Sequence, residues 1–401
     1  MISKRNLFLQ HVGQTGPMPV MIDIDHAEGM YIYDTSGKRY IDMNSGISVS
    51  SLGHCHPAVV KAVSDQAQKY MHTMVYGEHI QAPQVELATA LSEQLDDSLS
   101  SIYYVMTGTE ATEAAMKLAK RITGRTQMIA CANAYHGSTH GAESLRSDES
   151  YKQAFYPLLP GIKHIRFNHT EDLDRIDENT ACVILEPIQA EAGVIVPQNK
   201  YLHAVRKACD KHGALMILDE IQTGFGRTGH LFAHQKYEVI PDIILVGKAM
   251  GGGIPIAGFI TSLENMNALT KNPMLGHITT FGGHPVSCAA ALACLNTLLS
   301  EDYISDVDQK AALIVSKLNH SIVKEIRHSG LMMAVELSHR KYLKHVVGFC
   351  MEMGLIIDYF LFNDSSFRLA PPLIINKDQI EEACGIMMKA LDYASAKYNK
   401  R

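Results

Sequence analysis

Residues 242–253 read DIILVGKAMGGG: an apolar run from Ile243 to Val246, then Gly247, Lys248, and three glycines after Met250. A short continuous apolar run closed by a turn signal reads as a strand buried on both faces. Here it delivers the amine of Lys248 to the end of that strand. Burial disfavours an ammonium, and a lysine whose pKa falls is a good nucleophile toward carbonyls, the chemistry of Schiff-base formation. The plain alternative is a lysine that snorkels from the strand end to water.

Working outward, the middle of the chain alternates apolar runs with helical patterns, the signature of an α/β fold with a largely parallel sheet. Strands are expected at Ile102–Met106, Gln127–Ala132, Ala181–Leu185, Ala214–Leu218 and Ile243–Val246, with helices at Ala111–Ile122 and Tyr201–His212 between them. In open α/β sheets ligands sit beyond the carboxyl ends of the strands. Those ends carry Thr107, Gly108 and Thr109, then Tyr135, His136 and Gly137, then Glu186, Asp219 and Lys248.

The segment TGTEATEAAMKLAKR puts Gly108 and Thr109 at a helix N-terminus, where free amides and the helix dipole suit a phosphate. An ordinary capped helix with Thr107 or Thr109 as cap and Glu110 in its first turn accounts for the same residues. Asp219 closes ALMILD, and a buried carboxylate there needs a cation, either a structural partner or a protonated pyridine nitrogen. Lysine, aspartate and phosphate cradle on three strand ends meet the demands of pyridoxal phosphate: a carbonyl carbon, a ring nitrogen and a phosphate.

Gly224, Gly226 and Gly229 in GFGRTG match the dinucleotide fingerprint literally, but Glu220 to Thr223 separate them from the strand and no helical stripe follows. Ala249 after Lys248 likewise rules out a Walker lysine.

A chain of 401 residues with a net charge of -6 and no basic stripe argues against nucleic acid or an anionic membrane surface as partner. The N-terminus lacks a long apolar segment, so a cytoplasmic protein is expected. Eight scattered cysteines read as reduced thiols, and the neighbours His54, Cys55 and His56 point to alternate faces without a second ligand cluster, so no metal is expected. The alternation in GMYIYDTSGKRYIDMNSG predicts a β-hairpin turning at Thr35 to Lys38, and Gly330–Leu337 and Ser366–Leu369 are further short strands. The expected organisation is an N-terminal segment over 1–45, a large domain over 46–284, and a C-terminal part over 285–401 that joins the first segment in a smaller α+β domain.

The blocks MTGTEATEAAMKLAKR, AYHGST, ILEPIQAEAG, LDEIQTGFGRTG, DIILVGKAMGGGIPI, HITTFGGHP and FRLAPPL resemble, in order, those of class III pyridoxal-phosphate aminotransferases, nearest the ornithine and N-acetylornithine branch. The opening YIYDTSGKRYIDMNSGISVSSLGHCHP fits as well, so the resemblance spans nearly the whole chain. It implies the fold type I architecture of pyridoxal-phosphate transferases, and a homodimer with shared sites.

By the same resemblance Lys248 would form the Schiff base with the cofactor and shuttle the proton. Asp219 would hold the ring nitrogen, Gln222 approach the ring hydroxyl, Gly108 and Thr109 hold the phosphate, and Tyr135 stack on the ring beside His136. Thr280 would reach the phosphate of the neighbouring subunit. Glu191 and Arg368 would form a switch: paired for an ω-amine donor, separated when Arg368 grips the α-carboxylate of glutamate or 2-oxoglutarate. Thr279 and Tyr76 join them among the substrate-binding candidates.

The implied reaction is ping-pong transfer of an amino group from an ω-amino donor to 2-oxoglutarate. The alternatives are another amine donor, an aminomutase, lyase or decarboxylase on the same fold, or a silent cofactor-binding protein. One departure matters. Where the family carries an arginine for the donor's distal carboxylate, this chain has Ser138, which cannot make a charged bidentate contact. Thr107 and Ala190 also depart, from a serine and a glycine, with consequences for packing rather than chemistry.

Overall fold

The computed structural model describes residues 3–399. The chain opens with β1 (Ile24–Glu28), β2 (Tyr31–Asp34) and β3 (Arg39–Asp42), and continues with the seven strands of a central sheet. These are β4 (Ser101–Val105), β5 (Gln127–Cys131), β6 (Ile162–Ile165), β7 (Thr180–Leu185), β8 (Leu215–Asp219), β9 (Ile243–Val246) and β10 (Ala257–Thr261). The last part supplies β11 (Val323–Ser329), β12 (Met332–Leu337), β13 (Leu355–Ile356), β14 (Asp358–Tyr359) and β15 (Ser366–Leu369).

The central order is β4-β10-β9-β8-β7-β5-β6. The run from β9 to β6 is parallel, and β10 lies antiparallel to both β9 and β4. The carboxyl ends of β4, β5, β7, β8 and β9 therefore share one edge. Alternate residues of the parallel strands feed two cores: Ile129, Val183, Leu185, Leu218 and Val246 on one face, Met128, Cys182, Ile184, Ile217 and Leu245 on the other. This two-faced burial is why the strands read as unbroken apolar runs.

The expected strands of the central sheet agree with the observed ones to within a residue at each end, whereas the strand expected from Gly330 begins two residues later, at Met332. The helix expected from Ala111 begins at Gly108 instead and runs to Thr123. Thr107 caps it and Glu110 reaches back to the amides of Met106 and Thr107, both at 2.9 Å. Its small face, including Ala111, Ala114, Ala115 and Ala119, is fully buried and lets the helix lie close on the sheet.

The predicted hairpin is β2–β3, with Asp34 accepting from the amides of Ser36 and Lys38 in its turn. Parallel pairing of β13 with β3 places a C-terminal strand in the N-terminal sheet, while β11-β12-β15-β14 form a third sheet. All eight cysteines are unpaired, and seven are buried. Among the described residues no helix is long and apolar enough to cross a membrane.

Candidate active site

The shared strand edge opens into a cavity of about 450 Å³, lined by residues from five strand ends and the loops beyond them. Lys248, Asp219, Gln222, Gly108, Thr109, Tyr135, His136 and Ser138 all face it. Eight of the residues singled out in the sequence thus converge, although up to 140 positions separate them.

Lys248 follows β9 in a tight turn, Lys248–Gly251, and has a φ of +46°, in the left-handed region. Burial holds its amine below the usual lysine range, with Arg368 acting in the same sense and the carboxylates of Glu191, Asp219 and Glu186 against it. A lowered pKa suits a nucleophile and a proton carrier.

Asp219 is buried at the end of β8, where Oδ2 lies 2.7 Å from His136 Nδ1 and Oδ1 accepts from the Ile221 amide at 3.1 Å. Burial opposes a charge on His136, but the hydrogen bond and charge of Asp219, helped by Glu186, raise its pKa. His136 Nε2 is buried without a partner. His136 therefore orients Asp219 beside the cavity.

At the helix N-terminus the capping pair occupies the amides of Met106 and Thr107, while those of Gly108 and Thr109 have no partner among the described residues. The cap and the phosphate cradle are thus compatible. Thr109 Oγ1 lies 2.7 Å from Thr139 Oγ1 and accepts from the Thr139 amide, which draws the following loop against the helix. Only a glycine fits at 137: its φ is +126°, and a Cβ there would lie 2.2 Å from Thr109 Oγ1.

Glu191 and Arg368 are buried rather than a surface pair. Both carboxylate oxygens lie 2.6 Å from Arg368 Nη2, and Oε2 also accepts from the Leu361 amide at 3.2 Å. Arg368 Nε and Nη1 are left without acceptors, and its guanidinium carbon stands 4.6 Å from the ring centre of Phe360.

Ser138 is exposed at the cavity wall, with Oγ 3.4 Å from the Tyr135 hydroxyl and 3.2 Å from Arg146 Nη2. Thr280 is exposed, and Thr279 and Tyr76 are half-buried; none of the three lines the cavity of this chain.

Sequence reading did not single out Thr139, Ile188, Ile221 or Thr223, which also line it, and it placed Glu186 at a strand end without giving it a role. Glu186 was legible as a strand-end acid. Burial first, then the charges of Asp219 and Glu191, push it up to about 7. The GFGRTG segment lies elsewhere: Arg227 donates to the carbonyls of Leu331 and Pro371 and ties the loop to the C-terminal part.

A family model for class-III aminotransferases matches residues 12–391. The chain belongs to the class-III aminotransferases. It is 38% identical to an acetylornithine aminotransferase of Methanopyrus kandleri over 91% of this chain and 92% of that one. Ornithine aminotransferase 1 of Staphylococcus aureus is 37% identical over 91% and 93%. In three dimensions it superposes on the ornithine aminotransferase from Toxoplasma gondii, a structure with partial occupancy of pyridoxal phosphate at the active site, with a TM-score of 0.89, 30% identity and coverage of 98% and 94%.

This class-III aminotransferase is accordingly a pyridoxal-phosphate-dependent transaminase that takes an amino donor and a keto acid, built on the transferase fold. Its own residues fit the cofactor. The cavity has two unpartnered helix-end amides for a phosphate, a buried carboxylate held by His136 for a ring nitrogen, and an amine of lowered pKa for a carbonyl.

Proposed function

We propose that the enzyme moves an amino group from an ornithine-like or N-acetylornithine-like ω-amino donor to 2-oxoglutarate by a ping-pong cycle, producing glutamate. The buried Glu191–Arg368 pair carries this reading. With Glu191 engaged, the arginine is neutralised and the wall accepts an uncharged or cationic chain. When a dicarboxylate enters, Glu191 leaves and the guanidinium fork takes the α-carboxylate. A cycle with one substrate has no use for such a switch.

When bound, pyridoxal phosphate supplies the carbonyl that receives the donor's amino group and a protonated ring that draws off electrons. Around it Gly108 and Thr109 hold the phosphate, Tyr135 covers the ring face, and Asp219, steadied by His136, keeps the ring nitrogen protonated. Gln222 binds the ring hydroxyl. Lys248 Nζ takes the proton from the donor carbon that bears the amine and returns it on the other side of the transfer. Ser138 borders the substrate chain, while Thr279 and Tyr76 lie outside the cavity of one chain and reach a substrate only across the homodimer.

Thr280 of the partner subunit completes the phosphate site in a homodimer. Supporting this, Ile278 and Phe281 flank Thr280 on the surface with Met274 and Leu275 close by, and the ring of Phe281 stands 5.2 Å from that of His72, joining this patch to exposed Met71, Met74 and Ile80. Exposed apolar residues on both sides of that ring contact favour an interface. Eight unpaired cysteines suit a reducing compartment such as the cytoplasm.

The test is a half-reaction screen. Holoenzyme is mixed singly with ornithine, N-acetylornithine, 4-aminobutyrate, β-alanine, lysine and diamines, and loss of the cofactor's visible band is followed. Bleaching by ornithine or N-acetylornithine at rates above the other donors is expected. Bleaching by α-amines such as glutamate or aspartate alone contradicts the ω-amino assignment.

A further inference from the structure

Ser138 leaves the substrate wall without a charge of its own, yet a guanidinium stands directly behind it. Arg146 is only 6% exposed, on the loop that follows the short helix His140–Ser144. Its Nη2 donates to Ser138 Oγ at 3.2 Å, its Nη1 lies 3.2 Å from Glu143 Oε1, and its Nε is buried with no acceptor. The guanidinium carbon sits 4.9 Å from the ring centre of Tyr135 and 5.3 Å from that of Tyr151. Lys152 Nζ donates to its carbonyl and fixes the backbone.

A buried arginine with an idle donor is costly to keep, since each unmade hydrogen bond of a charged group forfeits stability. Its setting is that of a binding group. Two aromatic rings hold the fork flat, one carboxylate balances the charge, and the remaining edge reaches a hydroxyl on the cavity wall. Tyr151 also links it to the switch: its hydroxyl donates to the Leu361 carbonyl, and the Leu361 amide donates to Glu191. Two buried glutamate–arginine pairs, Glu143–Arg146 and Glu191–Arg368, are thus joined through Tyr151 and Leu361.

We propose that Arg146 is the anchor for the distal carboxylate of the substrates, acting together with Ser138 Oγ, so that the guanidinium absent from position 138 is supplied through space from position 146. The inference rests on the transaminase reading above and selects carboxylate-bearing substrates over simple diamines. A carboxylate at Ser138 accepts from the serine hydroxyl and from Arg146 Nη2, a charge-assisted contact that a serine alone cannot give. Arg368 holds the carboxylate at the other end of a dicarboxylate.

The test reads binding, not turnover. Dissociation constants of glutarate and pentanoate, equal in length but differing by one carboxylate, are measured on holoenzyme from the shift of the cofactor's visible band. Wild type is expected to prefer glutarate by about 100-fold, and Arg146→Gln to weaken glutarate by about 10- to 100-fold while changing pentanoate by less than about threefold. Arg146→Lys should fall between, since it keeps the charge and loses the fork. Adding Ser138→Arg to Arg146→Gln should restore glutarate binding.

Unchanged glutarate affinity in Arg146→Gln, equal weakening of both ligands, or a wild type without preference overturns the proposal. Should Arg146→Gln fail to fold, Arg146→Lys gives the same comparison. If glutarate discrimination depends on Arg146 but no ω-amine bleaches the holoenzyme, the donor assignment fails and the anchor stands.

Discussion

Lys248 holds a left-handed backbone conformation that costs a residue with a side chain about 1–3 kcal/mol, and such strain persists only where the surroundings enforce it. The enforcing elements are β9 before it and β10 after it, which fix both ends of a short connection. Around that amine the carboxylates differ in what burial does to them. Glu186 is pushed up to about 7, whereas Asp219 has His136 at 2.7 Å. A carboxyl raised in the fold binds its proton more tightly than in the unfolded chain. Its stabilising contribution is thus present below about 4.3, the ordinary glutamate value, and is lost as pH rises through about 7. Melting temperatures of cofactor-free protein from pH 4 to 8 should fall more steeply for wild type than for Glu186→Gln. Parallel profiles count against a displaced Glu186.

At the scale of elements, the loop after β8 has a task that its GFGRTG motif does not announce. It sends Arg227 into the interior, where it donates to the carbonyls of Leu331 and Pro371 and to Ser51 Oγ and binds segments from both ends of the chain. Burial lowers its pKa to about 9. Arg227→Ala leaves those carbonyls unpaired and should destabilise the protein by about 3 kcal/mol or more, seen as a lower urea midpoint. A change below about 0.5 kcal/mol would be out of keeping with such a tie.

The parallel strands were legible because burial on both faces writes unbroken apolar runs, and their carboxyl ends gave most of the cavity. What stayed hidden was written by contact rather than by period. β6 is a half-buried edge strand, IKHI, whose lysine and histidine mask it. β10 is short and carries Gly258, where a Cβ would lie 2.8 Å from the Tyr103 carbonyl, so a close approach, not a pattern, dictates the residue. Arg146 was invisible for the same reason, since nothing in LRSDES announces that its guanidinium returns to Ser138.

On the scale of the whole molecule, one chain gathers most of the expected site but leaves Thr280 on an apolar surface outside the cavity. If sites are shared between two copies, complementation follows. Thr280→Asp places a negative charge against the phosphate and should impair each site of its homodimer, while Lys248→Ala is inactive for lack of the amine. Mixing the two variants under conditions that exchange subunits should regenerate one intact site per heterodimer, and activity should rise well above that of either parent. Heterodimers that form without regaining activity would show that Thr280 serves no neighbouring site.

The central claim is that these strand ends, organised about Lys248, carry an amino group from an ω-amine to a keto acid in two separable halves. It is tested by a single cycle: stoichiometric ornithine or N-acetylornithine is added to holoenzyme, then 2-oxoglutarate, with the visible band and free glutamate followed together. The account predicts bleaching, then recovery with one glutamate released per chain, and neither step in Lys248→Ala above about 1/10,000 of the wild-type rate. Full turnover in Lys248→Ala, or glutamate formed by wild type with no bleached stage between the additions, would contradict it.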